Sequence, residues 1–255
     1  MTLAGSLFRT TIGRKLLMAA TGVVLIGFVV AHLVGNLQVF EDPDRMNGYA
    51  HFLHTLGPAL WVERAILLAC VVVHIWAATV LALADRHARG DQPYRVRTWL
   101  QATLASRYMR WTGYVVLAFI VYHLAQFTFG AAQSASYQGN LAPYTMAHDY
   151  RVLGFTTVRA GTPVADVRRM VILGFENRLV AVCYIFAVGL LSLHLWHGAD
   201  SLFQTFGWRN GRWSAGLHRV VSLGCALYFL GNLAIPGAVL AGCLTPDPPA
   251  AVASR

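Results

Sequence analysis

Residues 16–34 read LLMAATGVVLIGFVVAHLV and contain no charged side chain. A helix that spans lipid needs about 20 mostly apolar residues, so this stretch is long enough to cross a bilayer. It follows the basic residues Arg14 and Lys15, as the core of a signal peptide would. The stretch is longer than such a core, however, and no clear A-x-A cleavage site follows it. We therefore predict a retained first transmembrane helix with a histidine, His32, near its far end.

Four further apolar segments place the whole chain among membrane proteins. Of its 255 residues 56% are hydrophobic and only 12% are charged, whereas a soluble domain has roughly 25% charged residues. The mean hydropathy is +0.52. The apolar runs are continuous rather than alternating, which favours helices over the strands of a barrel. The helices are predicted at residues 15–40, 61–84, 108–130, 178–200 and 217–240.

The predicted fold class is all-α, an integral membrane bundle of five transmembrane helices that forms a single domain over residues 1–255. No internal repeat is evident. The connection between the third and fourth helices, residues 131–177, is expected to be a long loop outside the membrane. The Pro/Ala-rich residues 245–255 are predicted to be a disordered tail.

Basic residues indicate how the bundle is oriented. The N-terminal segment and the loops after the second and fourth helices contain Arg9, Arg14, Lys15, Arg86, Arg89, Arg95, Arg97, Arg107, Arg110, Arg209, Arg212 and Arg219. These segments fall on one side of a five-helix path, so the positive-inside rule predicts a cytoplasmic N-terminus. The same placement accounts for the net charge of +9 without a nucleic-acid partner.

Each of the first four helices contains a histidine in its apolar part: His32, His74, His123 and His194. At 1.5 Å per residue from the cationic helix ends, His32 and His123 lie about 25 and 20 Å deep. His74 and His194 lie about 15 and 9 Å deep, so the two levels are roughly 10 Å apart. Ionisable residues inside a membrane point to function, and paired imidazoles are typical axial ligands of haem. The pattern predicts two haems.

Two alternatives to haem remain at this point. A single intramembrane histidine often only packs or hydrogen-bonds, and a transporter can use histidines as a proton relay. Such relays usually add buried Asp or Glu, which the middles of these helices do not contain. The four cysteines are isolated and no C-x-x-C-H motif occurs, so any haem would be held without a covalent bond.

Several segments carry a family resemblance. Residues 32–38 read HLVGNLQ, residues 49–54 YAHFLH, residues 60–64 LWVER, residues 194–198 HLWHG and residues 201–207 SLFQTFG. Together they resemble the cytochrome b membrane anchor of succinate:quinone oxidoreductases (succinate dehydrogenase or fumarate reductase), in the class with one polypeptide, five helices and two haems. The resemblance covers nearly the whole chain, although the third-to-fourth connection is longer than expected and the tail matches nothing.

The resemblance implies a set of roles. His32 and His123 would hold the iron of an outer haem b, and His74 and His194 that of an inner one. His197 is a rival to His194 as ligand and is otherwise a candidate propionate partner, with Arg64 and Arg178. Glu63 is the first candidate for the quinone site, with Asn36 and Gln38 near it. Glu63 could equally be a helix N-terminal carboxylate, and the two arginines could be interfacial anchors.

The resemblance also implies partners and a location. A flavoprotein subunit and an iron–sulfur subunit would bind the cytoplasmic face, and the electron-transfer substrate would be a membrane quinone, menaquinone in the first instance. The chain would be a multi-pass protein of the bacterial inner (plasma) membrane and would perform no dicarboxylate chemistry itself. A haem b subunit of another membrane dehydrogenase is the alternative within the cytochromes.

Overall fold

The computed structural model of the chain describes residues 3–90 and 103–246. Its helices are α1 (Leu3–Arg9), α2 (Thr11–Leu37), α3 (Pro43–Thr55), α4 (Pro58–Arg89), α5 (Leu104–His123), α6 (Val167–Glu176), α7 (Arg178–Thr205) and α8 (Ser214–Leu240). Within the described ranges, α2, α4, α5, α7 and α8 are long and apolar enough to span a membrane. The chain is thus a multi-pass, mainly helical membrane protein. Arg95, Arg97 and residues 247–255 of the tail lie outside the described residues.

The long helices extend beyond the predicted apolar segments. Helix α4 continues to Arg89 and α7 to Thr205, each five residues past the predicted end. Arg86 and Arg89 lie in the last turn of α4, where cations interact favourably with the helix dipole. Gly90 then ends the helix with a φ of +69°, a conformation that suits glycine. These helices therefore extend beyond their apolar segments. Hydropathy predicts the part of a helix that lies in lipid and does not predict where the helix ends.

One end of the bundle carries a folded cap. Helix α3, which contains His51 and His54, lies in the connection between the first two spanning helices. In the long connection, β1 (Tyr144–Thr145) pairs with β4 (Pro163–Val164), and β2 (Tyr150–Val152) pairs with β3 (Phe155–Val158), both antiparallel. We call α3, these strands and α6 the cap. The predicted helical bundle is present, but the expectation of a long loop at residues 131–177 is wrong.

The cap is attached to the bundle by buried polar contacts. Asn47 of α3 is fully buried; its side-chain oxygen accepts from the Arg168 backbone N–H at 2.9 Å, and its amide donates to Asp166 at 3.3 Å. The Arg168 Nε donates to the carbonyl of Val39 at 3.1 Å, just beyond the end of α2. These bonds join α3 and α6 to the first spanning helix. An apolar cluster that includes Val39, Ile172, Phe175, Tyr184 and Val239 packs beneath them.

Asp44 holds the strand region onto α3. It is only 5% exposed, and its carboxylate accepts from the Tyr144 hydroxyl at 3.0 Å and from the Ala147 N–H at 2.9 Å. It also accepts from the backbone N–H of His148 at 2.7 Å and pairs with that imidazole at 2.9 Å. Burial raises the pKa of Asp44, whereas the hydrogen bonds from Ala147, His148 and Tyr144 lower it. Together these bonds outweigh burial, so the pKa of Asp44 lies below its ordinary value.

Asp44→Asn is expected to destabilise the cap by roughly 3 kcal/mol, because hydrogen bonds to a charged group contribute about 1.5–3 kcal/mol and the amide group would place a donor against donors. Hydrogen exchange at Ala147 and His148 measures the loss. Because the folded pKa is depressed, the carboxylate's contribution is complete above its ordinary pKa and disappears as pH falls through the lower folded value. Asp42→Asn is the control, since asparagine caps α3 as well as aspartate does; equal protection in both variants would contradict the role of Asp44.

Candidate functional site: two pairs of histidines

His32 and His123 meet at the cap end of the bundle. His32 lies five residues before the end of α2, and His123 is the last residue of α5. Their ring centroids are 5.7 Å apart and the ring planes are nearly perpendicular, at 85°. Two imidazoles on opposite sides of one metal ion have centroids about 6 Å apart, given metal–nitrogen bonds of about 2.0 Å. The spacing of this cap-end pair therefore fits one metal centre.

Aromatic and polar groups orient the cap-end pair. Phe28 stacks on the His32 ring at 5.3 Å with an interplanar angle of 19°. The Tyr184 hydroxyl lies 3.5 Å from Nδ1 of His123 and donates to the buried side chain of Gln126 at 2.7 Å. Gln126 lies in a π-helical turn, Leu124–Thr128, that continues α5. Such turns occur often at functional sites, and this one directs Gln126 toward Tyr184.

His74 and His194 form a second pair nearer the middle of the bundle. The hydroxyl oxygen of Thr21 on α2 lies 3.2 Å from Nδ1 of His74. The hydroxyl oxygen of Thr112 on α5 lies 3.2 Å from Nδ1 of His194. His194 also has an electrostatic interaction with His74. Each imidazole is therefore held against a neighbouring helix by the same kind of contact.

Glycines bring these rings close to the helix backbones. A Cβ atom at Gly22 would lie 3.7 Å from Cε1 of His74, and one at Gly113 would lie 3.6 Å from Cε1 of His194. Both are ordinary van der Waals distances, so the rings rest directly on the faces of α2 and α5. Gly22 and Gly113 thus give the two imidazoles equivalent surroundings.

The two levels are farther apart than the sequence estimate of roughly 10 Å. His74 lies opposite Thr21, and Thr21 is 11 residues from His32 along α2. At 1.5 Å per residue this is about 16 Å. Thr112 is likewise 11 residues from His123 along α5. The estimate was short because it measured depth from charged residues, which do not mark equivalent heights on the four helices.

An internal repeat accounts for the matching geometry, and the expectation of no repeat was wrong. Residues 18–33 read MAATGVVLIGFVVAHL and residues 109–124 read MRWTGYVVLAFIVYHL, identical at 8 of 16 positions. The partner helices repeat as well, with HIW at residues 74–76 and HLW at residues 194–196. Helix α2 packs on α4 and α5 packs on α7. The offset between α2 and α5 is 91 residues and that between α4 and α7 is 120 residues, because the connection between α5 and α7 contains most of the cap. The repeat therefore has no single period.

Glu63 lies on a groove between α2 and α4. The groove measures about 460 Å³ and is lined by Val24, Gly27, Phe28, Ala31, Ala59, Val62, Glu63, Ile66 and Leu67. Among these lining residues Glu63 alone is charged. Phe28, which stacks on His32, forms part of the wall. The groove is therefore separated from the cap-end pair by one aromatic ring.

Four other predicted residues lie at the cap end of the bundle. The guanidinium of Arg64 lies 5.0 Å above the Trp61 ring, and Arg178 is exposed at the start of α7. Asn36 and Gln38 are half-buried at the end of α2. Among the described residues, sequence reasoning missed one buried cation at the cap end, Arg168, which is 8% exposed. Its position in a long polar connection gave no signal of burial.

His197 lies one turn beyond His194 toward the end of the bundle opposite the cap. It is half-buried and interacts with the charge of Asp200. Asp200 also contacts the His218 ring at 3.2 Å and Arg209 at 3.5 Å. His197 thus belongs to a charged cluster, whereas His194 contacts Thr112 inside the bundle. The geometry favours His194 over His197 as the partner of His74.

Comparison with protein-family models, with curated proteins and with solved structures found no match. The family resemblance therefore depends on the quoted segments and on the histidine geometry.

Proposed function

We propose that this chain is the di-haem cytochrome b membrane anchor of a succinate:quinone oxidoreductase, which carries electrons between an iron–sulfur subunit and membrane quinone. The single observation that carries the proposal is the arrangement of four histidines at two levels, with His32 and His123 only 5.7 Å apart. A packing role explains one histidine but not two pairs placed by a repeated unit. A proton relay is less well supported, since the middles of the spanning helices contain no Asp or Glu.

The residues fit haem b. His32 with His123, and His74 with His194, would each supply two neutral imidazoles to one iron. Haem held in this way would supply one-electron transfer. The protein's own task is then to exclude water, to fix the imidazoles and to set their basicity. Arg64, Arg178 and His197 remain the candidate partners of the propionates, through charge-assisted hydrogen bonds.

Glu63 is the proposed proton-exchanging group for a quinone, menaquinone in the first instance. Quinone reduction requires a proton donor within hydrogen-bonding distance of a quinone oxygen. The groove beside Glu63 has a mostly apolar lining, lies between two spanning helices and has a volume of about 460 Å³. Asn36 and Gln38, at the end of α2, would supply further polar contacts at the same end of the bundle.

The orientation and partners follow from the charges. With the N-terminus in the cytoplasm of a bacterium, the end opposite the cap contains the arginines of the short loops, and the cap faces outward. This cationic end suits docking of a flavoprotein and an iron–sulfur subunit, with contact to anionic lipid as the simpler explanation. A haem subunit of a different membrane dehydrogenase would share the histidines but not these partners.

The test is a reduced-minus-oxidised absorbance spectrum of the purified protein with a haem assay. We expect two haem b per chain and none covalently attached. Co-purification of a flavoprotein and an iron–sulfur subunit would distinguish the anchor from another membrane cytochrome. A preparation without haem, after expression with haem supplied, would contradict the proposal.

A further inference from the structure

The hydroxyl of Thr21 can only accept a hydrogen bond from His74. Its oxygen lies 2.8 Å from the Leu17 carbonyl and 3.1 Å from the Met18 carbonyl, one turn earlier in α2. A hydroxyl has one hydrogen and two lone pairs, and a carbonyl can only accept, so the hydrogen is directed to the backbone. Toward Nδ1 of His74, at 3.2 Å, the oxygen therefore presents a lone pair. Nδ1 must carry the ring hydrogen, and Nε2 is left with its lone pair free.

The same arrangement recurs at Thr112. Its hydroxyl donates to the Met109 carbonyl at 3.0 Å and faces Nδ1 of His194 at 3.2 Å. Met109 is the counterpart of Met18 in the repeat, and the backbone of each lies within hydrogen-bonding range of the corresponding imidazole. Two threonines at equivalent positions thus make the same contacts, one with a histidine of α4 and one with a histidine of α7.

We propose that Thr21 and Thr112 are positioning residues that hold His74 and His194 in the Nδ1–H tautomer, with both Nε2 atoms available to one metal centre. That the metal centre is haem rests on the proposed function, whereas the hydrogen bonds and the tautomer are independent of it. A hydrogen bond from the distal N–H of a coordinated imidazole orients the ring and raises its basicity, and its loss typically costs roughly 10–100-fold in metal affinity.

The first experiment needs no haem. The full chain is labelled with ¹⁵N-histidine, and the ring nitrogen shifts of the haem-free protein are recorded for the wild type and for Thr21→Val and Thr112→Val. We expect Nδ1–H signals from His74 and His194 in the wild type, and a changed shift for one of them in each variant, where the Met18 or Met109 carbonyl remains as the acceptor. Valine keeps the β-branched shape, so helix formation is conserved. Nε2–H tautomers at both histidines in the wild type would overturn the inference.

The second experiment uses the haem-loaded protein. Thr21→Val is expected to weaken binding of one of the two haems roughly 10–100-fold and to raise its midpoint potential, since a less basic imidazole stabilises ferric iron less. The other haem should be unchanged, and Thr21→Ser should restore the wild-type values. Thr79→Val is the matched control, because among the described residues the Thr79 hydroxyl donates to the Ile75 carbonyl of its own helix at 2.8 Å and contacts no histidine.

The outcomes separate this inference from the proposed function. Nδ1–H tautomers of His74 and His194 in a chain that binds no haem would support the roles of the threonines and contradict the cytochrome assignment. If two haems bind and neither their affinity nor their midpoint potentials change in Thr21→Val or Thr112→Val, the cytochrome assignment is supported and the roles of the threonines are contradicted. An equal effect of Thr79→Val would also count against them.

Discussion

His74→Ala and His32→Ala are each expected to leave one haem per chain instead of two, and to halve the haem absorbance per protein. Each iron would lose one of its two imidazole ligands, and within residues 3–90 and 103–246 the nearest other histidine of a spanning helix, His197, lies one turn beyond His194. His51→Ala is the control, because this half-buried histidine belongs to the cap. The measurement is the pyridine haemochrome content of purified protein with its redox titration.

Double variants test the pairing itself. Substitutions within one site are not additive, since the first already removes what the second would remove. His32→Ala with His123→Ala should therefore still bind one haem, as each single variant does. His32→Ala with His74→Ala should bind none. If the second combination kept one haem, or if both single variants kept two, the assignment of ligands to the two levels would be wrong.

The sequence was sufficient to predict the five spanning helices and the proximity of His32 to His123, while their role as haem ligands stays a prediction. Both predictions depend on features that are clear in the sequence without a structure: long apolar runs, and one histidine in the apolar part of each of the first four helices. The helix ends were less predictable, because Arg86 and Arg89 extend α4 through favourable dipole interactions beyond the apolar stretch. Hydropathy reports where lipid begins and does not report where hydrogen bonding along the helix stops.

The cap and the threonines could not be predicted in the same way. The strands of the cap are two to four residues long, and they are stabilised by Asp44, about 100 residues away in sequence. A threonine in a spanning helix ordinarily bonds its own backbone, as Thr21 does, so its second contact with His74 leaves no local signal. The repeat that connects Thr21 with Thr112 was hidden because the cap changes the offset between the two halves.

Glu63→Gln is expected to reduce quinone turnover by roughly 10²–10⁴-fold, the usual contribution of a positioned proton donor or acceptor. Glutamine keeps the shape of the side chain and removes its acidic proton, so haem content and the spectra should not change. Glu176→Gln provides the control, because Glu176 is also an exposed carboxylate near the cap end of a spanning helix but lies outside the groove lining. The measurement is the steady-state rate of oxidation of a short-chain quinol, monitored through the reduction of the haems.

Gly27→Leu tests the groove separately from the proton. A Cβ atom at Gly27 would have no neighbour within 4 Å, and the residue lines the groove, so a leucine side chain can enter it without displacing the helices. We expect a large rise in KM for quinol, because the groove would be filled, whereas Glu63→Gln should mainly lower kcat. Both haems should remain bound in each variant. If both variants turn over quinol within twofold of the wild type, the quinone binds elsewhere, and the carboxylate of Glu63 only stabilises the N-terminus of α4 through the helix dipole.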